Sequence, residues 1–165
     1  MNNKIEIIQI TEAHIPGFHD CFDSVARERI YLGRLKAHPY EEMEEFTKRN
    51  IAQGNIQLVA LLDEKVIGWC GIPPIDKEGF RHVGVLGIGI HKDHRGKGIG
   101  KLLMQKAIAQ AKEKALERIE LDVFTVNEAA IGLYKSFGFE IEGMKKKVRK
   151  IDGKYYDDLC MALLL

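Results

Sequence analysis

Between Leu86 and Ala107 the sequence reads LGIGIHKDHRGKGIGKLLMQKA: an apolar strand, a turn rich in cations and glycines, and an amphipathic helix. A strand that runs straight into a helix is one unit of the alternating order that calls for a mixed α/β sheet. The bare backbone N–H groups at the positive end of that helix make an anion site, with phosphate the expected guest. A solvated strand-to-helix turn is the alternative. Neither familiar phosphate pattern fits. A Walker loop requires Ser or Thr after Gly100-Lys101, where Leu102 stands, and glycine where Arg95 stands; a dinucleotide G-x-G-x-x-G begun at Gly96 requires glycine at position 101, which is lysine. In the preceding strand, Leu86, Ile88 and Ile90 share one face, and Gly87 and Gly89 leave the other without side chains. That predicts a bare groove leading to the phosphate site, suited to a thin ligand whose amides pair with the strand, as pantetheine plus pyrophosphate would.

The rest of the chain supplies a frame for this unit. KIEIIQIT reads as a strand, Ile15 to about Leu32 as a helix, and the segment after HPYEEMEEF as a second helix closing at Gly54. IQLVALL and VIGWCGI make a hairpin, HVGVLGIGI a further strand, RIELDVF another, Asn127 to Phe137 a helix, and the last two strands meet at IDG. The expected architecture is α/β: a mixed central β-sheet of about seven strands flanked by about four helices. Residues 1–165 contain no linker or composition break, so one domain is expected. The 25 Lys+Arg against 24 Asp+Glu give no global charge for nucleic acid or a membrane surface, and the start MNNKIEIIQI has no signal-peptide core. A cytoplasmic protein without nucleic-acid or membrane partners is expected. Cys21, Cys70 and Cys160 are scattered and read as buried hydrophobes.

Two motifs carry a resemblance. Arg95-x-x-Gly98-x-Gly100 after an apolar strand resembles the acetyl-CoA signature of the GCN5-related N-acetyltransferases (GNAT), and VNEAAIGLYKSFGF resembles that superfamily's second motif. The order of elements is similar over nearly the whole chain. The stretch from RIELDVF to the final MA is similar to a bacterial branch that acylates amino acids and related small amines. The resemblance implies the GNAT fold and acetyl-CoA as co-substrate. It implies that backbone groups of Gly96, Lys97, Gly98, Ile99 and Gly100 take the pyrophosphate beside Arg95, and that Ile88, Gly89 and Ile90 bind the thioester carbonyl and pantetheine, with Asn127 and Ala130 along the arm. The acceptor is then a small amine, with polyamine or protein N-terminal acetylation as the second reading, and the family's habit suggests a homodimer. An acyl-CoA-binding module without turnover is the alternative outside enzymology.

Acyl transfer to an amine requires a neutral nitrogen, a donor for the developing oxyanion, and a proton for the thiolate. The Ile88 N–H is the candidate donor. Tyr134 matches the family's general acid, against the plain reading of a core tyrosine. For the base, Asp122 lies twelve residues before Tyr134, and His82 precedes the glycine-rich strand and can relay a proton through water. His91, Asp93 and His94 look like a ligand cluster, but Arg95 and Lys97 beside them repel a cation, so no metal is expected. Arg27, Arg29, Arg34 and Lys36 suit an acceptor carboxylate, whereas EEMEE suits a polyamine; either can be a solvated helix face.

Overall fold

The computed structural model describes residues 4–165. In chain order it carries β1 (Glu6–Gln9), α1 (Ile15–Ala26), α2 (Tyr40–Ala52), β2 (Ile56–Leu62), β3 (Lys65–Ile72), β4 (Val83–Val85), β5 (Gly87–Ile90), α3 (Ile99–Glu113), β6 (Arg118–Phe124), α4 (Glu128–Ser136), β7 (Glu140–Ile151) and β8 (Lys154–Leu164). The strands form two four-stranded sheets in the orders β1-β2-β3-β5 and β4-β6-β8-β7. The mixed α/β fold and its four helices are those expected. The single strand read from HVGVLGIGI, however, is two strands in two different sheets.

The break falls where Pro73 and Pro74, which have no N–H to donate, follow β3: β4 meets this segment only around an isolated bridge of Pro74 and Gly84, with Val85 N–H donating to Pro73 C=O at 3.0 Å and Ile75 N–H to Val83 C=O at 2.9 Å. β4 instead lies parallel to β6, with Val83 opposite Arg118 and Val85 opposite Glu120. Leu86, buried in the core, donates its N–H to Glu120 C=O, after which the chain swings away. β5 then pairs antiparallel with β3, Cys70 opposite Ile88 and Trp69 opposite Gly89. The two sheets therefore splay apart from Gly87 onward, and among the described residues one edge of β5 has no strand beside it.

Which backbone groups line that open edge follows from the alternation of an antiparallel ladder. His91 N–H donates to Ile67 C=O, so alternate residues Gly89 and Gly87 also turn their N–H and C=O groups toward β3. Those of Ile88 and Ile90 point into the gap. The side-chain faces differ from expectation in one respect. A Cβ at Gly89 would lie 2.1 Å from Trp69 Cη2, so the indole occupies the face that looked bare, and only Gly87 has open space above it. The groove is the gap at the strand edge, not a strip across the sheet face.

One core cluster packs α3 against both sheets through Leu103, Met104, Ala107 and Ala111. A second packs α1 and α2 on the opposite face of the first sheet, around Trp69, whose ring centroid lies 5.9 Å from that of Phe18 and 5.1 Å from that of Phe22. α1 ends at Ala26, six residues before the expected Leu32. Arg29 adopts a left-handed φ of 60°, and the apolar spacing through Ile30 belongs to a loop. No helix among the described residues is long and apolar enough to cross a membrane.

Candidate active site

The gap between the sheets opens into a cavity of about 570 Å³. Its lining combines the β5 edge (Ile88, Gly89, Ile90), the glycine-rich entrance to α3 (Arg95, Gly96, Gly98, Ile99, Gly100) and the start of α4 (Asn127, Ala130, Tyr134). Of the residues expected at the cofactor, only Lys97 is outside this lining; it is exposed and its Nζ donates to Asp93 C=O at 3.1 Å.

The entrance to α3 is built to hold an anion. Gly96 and Gly98 have φ of 72° and 78°, and among the described residues nothing beyond their chain neighbours lies within 4 Å of where their Cβ atoms would be. Any other residue would be strained there and would fill the space before the helix. Gly98 is the N-cap and supplies no side-chain acceptor, and the N–H groups from Gly96 to Gly100 donate to no backbone carbonyl among the described residues. A diphosphate fits these unsatisfied donors at the positive helix end. Arg95 does a different job from the glycines. Its Nε donates to Ile90 C=O at 2.9 Å, its Nη1 donates to Glu28 at 2.9 Å with Nη2 on the other carboxylate oxygen, and the guanidinium lies 4.6 Å from the Tyr31 ring centre. Arg95 thus ties the loop after α1 to the phosphate-facing turn.

Asn127 caps α4: its Oδ1 accepts from Ala130 N–H at 3.2 Å, leaving its amide NH₂ free to meet an acceptor in the cavity. Seven residues on, Tyr134 is 6% exposed, its ring 5.8 Å from that of Phe139. Burial pushes its hydroxyl well above the usual tyrosine range, with the nearby Cys70 adding to the shift. The phenol therefore stays protonated at any working pH. Burial likewise pushes the thiols of Cys70 and Cys21 up to about 12, so neither supplies a thiolate.

A family model described as the Acetyltransferase (GNAT) family matches residues 19–139. The chain belongs to the GNAT family. It is 35% identical to the L-amino acid N-acetyltransferase AaaT of Escherichia coli (strain K12) over 141 residues, 83% of this chain and 85% of that protein. The crystal structure of a GNAT-family acetyltransferase from Streptococcus pneumoniae matches with a TM-score of 0.91 at 30% identity, covering 98% of this chain and 100% of that one. A GNAT superfamily phosphinothricin acetyltransferase from Sinorhizobium meliloti, solved in complex with acetyl-CoA, shares the fold with a TM-score of 0.91 at 19% identity, over 98% and 88% of the two chains. The chain is thus an N-acetyltransferase of a family that uses acetyl-CoA.

The GNAT cavity does not include either side chain considered as a base. His82 is exposed just before β4, six residues from Ile88 along a largely extended chain, or roughly 20 Å at strand rise. Its carbonyl accepts from Glu117 and Arg118 N–H. Asp122 points from β6 to the face opposite α3, where Lys145 Nζ lies 2.6 Å from its Oδ2 in a separate hollow of about 200 Å³. Among the candidate metal ligands, His91 Nδ1 accepts from Asp93 N–H and so caps a short 3-10 turn.

The acceptor cluster also changes. Arg27 pairs with Asp23 and Arg29 with Asp152, while Arg34 and Lys36 are exposed. Sequence reasoning missed Val25, Ile30 and Tyr31, which line the same cavity. The apolar spacing through Val25 and Ile30 was visible, but it looked like a continuing helix rather than the wall of a site.

Proposed function

We propose that this chain transfers the acetyl group of acetyl-CoA directly to the amine of an amino acid or amino-acid-like compound. The observation that carries the reading is the convergence, in one cavity, of an unpaired strand edge, an unsatisfied helix entrance and a buried, neutral Tyr134. In this reading Gly96 to Gly100 hold the diphosphate and the Ile90 N–H and Asn127 amide hold the pantetheine arm. The bound thioester supplies the activated acetyl group. The Ile88 N–H, directed into the gap, donates to the carbonyl oxygen as negative charge builds there. As the carbon–sulfur bond breaks and the new carbon–nitrogen bond is kept, Tyr134 donates its proton to the departing sulfur, and the proton released by the acetylated nitrogen returns through water to restore the phenol.

Direct transfer is favoured because the buried thiols of Cys21 and Cys70 are held protonated and offer no acyl carrier. With neither His82 nor Asp122 at the cavity, the amine arrives neutral from solution. That suits an α-amine, whose pKa of about 7.7 to 8.0 leaves much of it neutral near pH 7.5, over a side-chain amine near 10.4. AaaT acts on L-amino acids, which supports the same acceptor class. The cytoplasm, where acetyl-CoA and free amino acids are dissolved together, is the proposed site of action.

The test is release of CoA thiol from acetyl-CoA with panels of L-amino acids, polyamines and N-terminal peptides. Turnover highest with amino acids supports the reading; turnover confined to polyamines or peptides, or acetyl-CoA binding without acceptor-dependent release, refutes it.

A further inference from the structure

The charges expected to bind an acceptor carboxylate are spent or exposed, but another arginine is built for that task. Arg149 comes from β7, just after a register shift between Lys145 and Arg149 where Lys147 takes a left-handed φ of 52°. A strand irregularity of this kind re-aims the residue that follows it. Arg149 is turned inward onto Asp158 of β8, which is 2% exposed. Its Nε donates to Asp158 Oδ1 and Oδ2 at 3.1 and 2.9 Å, and its Nη2 donates to Oδ2 at 2.8 Å. The guanidinium carbon lies 4.1 Å from the centre of the buried Phe124 ring. Position and plane are therefore held before any ligand arrives.

This pairing uses only one side of the guanidinium. The Nε side is taken by Asp158, whereas the far end, made by Nη1 and the second hydrogen of Nη2, is a second fork that matches a carboxylate bidentately. Nη1 donates to no acceptor among the described residues. The loop between α1 and α2 passes this end with Gly33, where a Cβ would lie 3.0 Å from Nη1, so any larger residue would crowd the fork. Arg149 stands behind the cavity lining, and the segments of both its neighbours run on to it. Phe124 ends β6 two residues before Val126, and Gly33 stands two residues after Tyr31; Val126 and Tyr31 both line the cavity.

We propose that Arg149, braced by Asp158 and Phe124, is the specificity-determining anchor for a carboxylate on the acceptor. This rests on the reading of the chain as an amine acetyltransferase and deepens it: the preferred acceptors carry a carboxylate, and polyamines are poor ones. The buried Asp158 neutralises the arginine's charge at rest, so recognition depends on the free fork and its direction more than on a bare positive field.

The test compares each amino acid with its carboxamide, in the wild type and in two variants. Arg149→Lys keeps a cation beside Asp158 and removes the fork; the double change Arg149→Met with Asp158→Leu removes both charges, so that neither is buried alone. In the wild type the carboxamide should have a KM higher by about ten- to a hundredfold, the range for losing a hydrogen bond to a charged group. In both variants the KM for the acid should rise by a similar factor to meet that of the amide, with kcat and acetyl-CoA affinity little changed. Equal wild-type KM for acid and amide, or variants that raise both together, overturns the anchor while leaving acetylation intact. A wild type with no acceptor-dependent thiol release overturns the acetylation reading itself, and the anchor with it.

Discussion

Replacing Tyr134 with Phe removes one oxygen from the centre of the proposed chemistry and leaves the ring packed beside Phe139. The size of the effect follows from matching acid to leaving group. In water a thiolate with a pKa of about 8.5 gains little from a phenol at about 10. Burial lifts Tyr134 further above its usual range, so full proton transfer in the ground state is uphill and the phenol acts only as negative charge builds on the departing sulfur. Tyr134→Phe should lower kcat by roughly ten- to a thousandfold, up to about 4 kcal/mol of barrier, with little change in acetyl-CoA affinity. The raised pKa sets the sign of the pH dependence. Because the acid form is the active one and its loss is displaced upward, wild-type kcat/KM should rise as the acceptor amine deprotonates and then stay level to pH 10, where an unperturbed phenol would already be half ionised. Saturation kinetics with both substrates varied, from pH 6.5 to 10, together with calorimetry of acetyl-CoA on the variant, measure each quantity. Wild-type kcat in the variant, or a descending limb centred near pH 9, would show that the proton comes from elsewhere.

Three further outcomes are expected. Gly98→Asp puts a side chain and a negative charge at a φ of 78° in front of the α3 N-terminus, so acetyl-CoA affinity should fall by tenfold or more in a folded protein; unchanged calorimetric affinity would remove the phosphate cradle from the argument. Gly89→Ala drives a methyl to 2.1 Å from the Trp69 ring, and the overpacking should cost about 1 to 3 kcal/mol, read as a lowered Tm or urea midpoint; a melt indistinguishable from wild type would mean that the indole moves aside freely. Glu28→Gln weakens the fork that joins Arg95 to the loop after α1, and should raise proteolytic cutting between Arg27 and Gly33, with acetyl-CoA at saturation restoring part of the protection; equal cutting of the two proteins would show that Tyr31 alone holds the loop.

What could be read in advance was local. The phosphate entrance spans six consecutive residues, two of which, Gly96 and Gly98, take a positive φ that favours glycine, and the start of α4 carries its own cap in Asn127, so both stand in the sequence in nearly the form they take in the fold. The end of α1 was less legible because apolar spacing records burial, not helicity. Ile30 keeps the spacing of a helix face while turning toward the cofactor cavity, after Arg29 has already left the helical region. The break in HVGVLGIGI was hidden for a related reason: alternation continues through Leu86, and the short bridge beside it involves Pro73 and Pro74, ten or more residues earlier in the sequence. The same holds for Gly89, which looked like an absent side chain and is in fact the seat of the Trp69 ring.

The acceptor side was the least visible for a physical reason that extends to other chains with this division of labour. Holding a diphosphate takes backbone N–H groups, which a short continuous segment can supply and whose glycines mark it. Recognising an acceptor takes side-chain groups aimed from several directions, and the proposed anchor draws Phe124, Arg149 and Asp158 from three different strands, with Gly33 leaving room beside the fork. In the sequence, Arg149 is one cation in the run KKKVRK, and nothing nearby separates it from its neighbours. What separates it is Asp158, nine residues away across the hairpin: a carboxylate at 2% exposure requires a partner, and of the nearby cations only Arg149 is turned inward to provide it. A buried acid opposite a basic strand is therefore the feature by which the arginine with a fixed direction can be told from the lysines that only meet solvent.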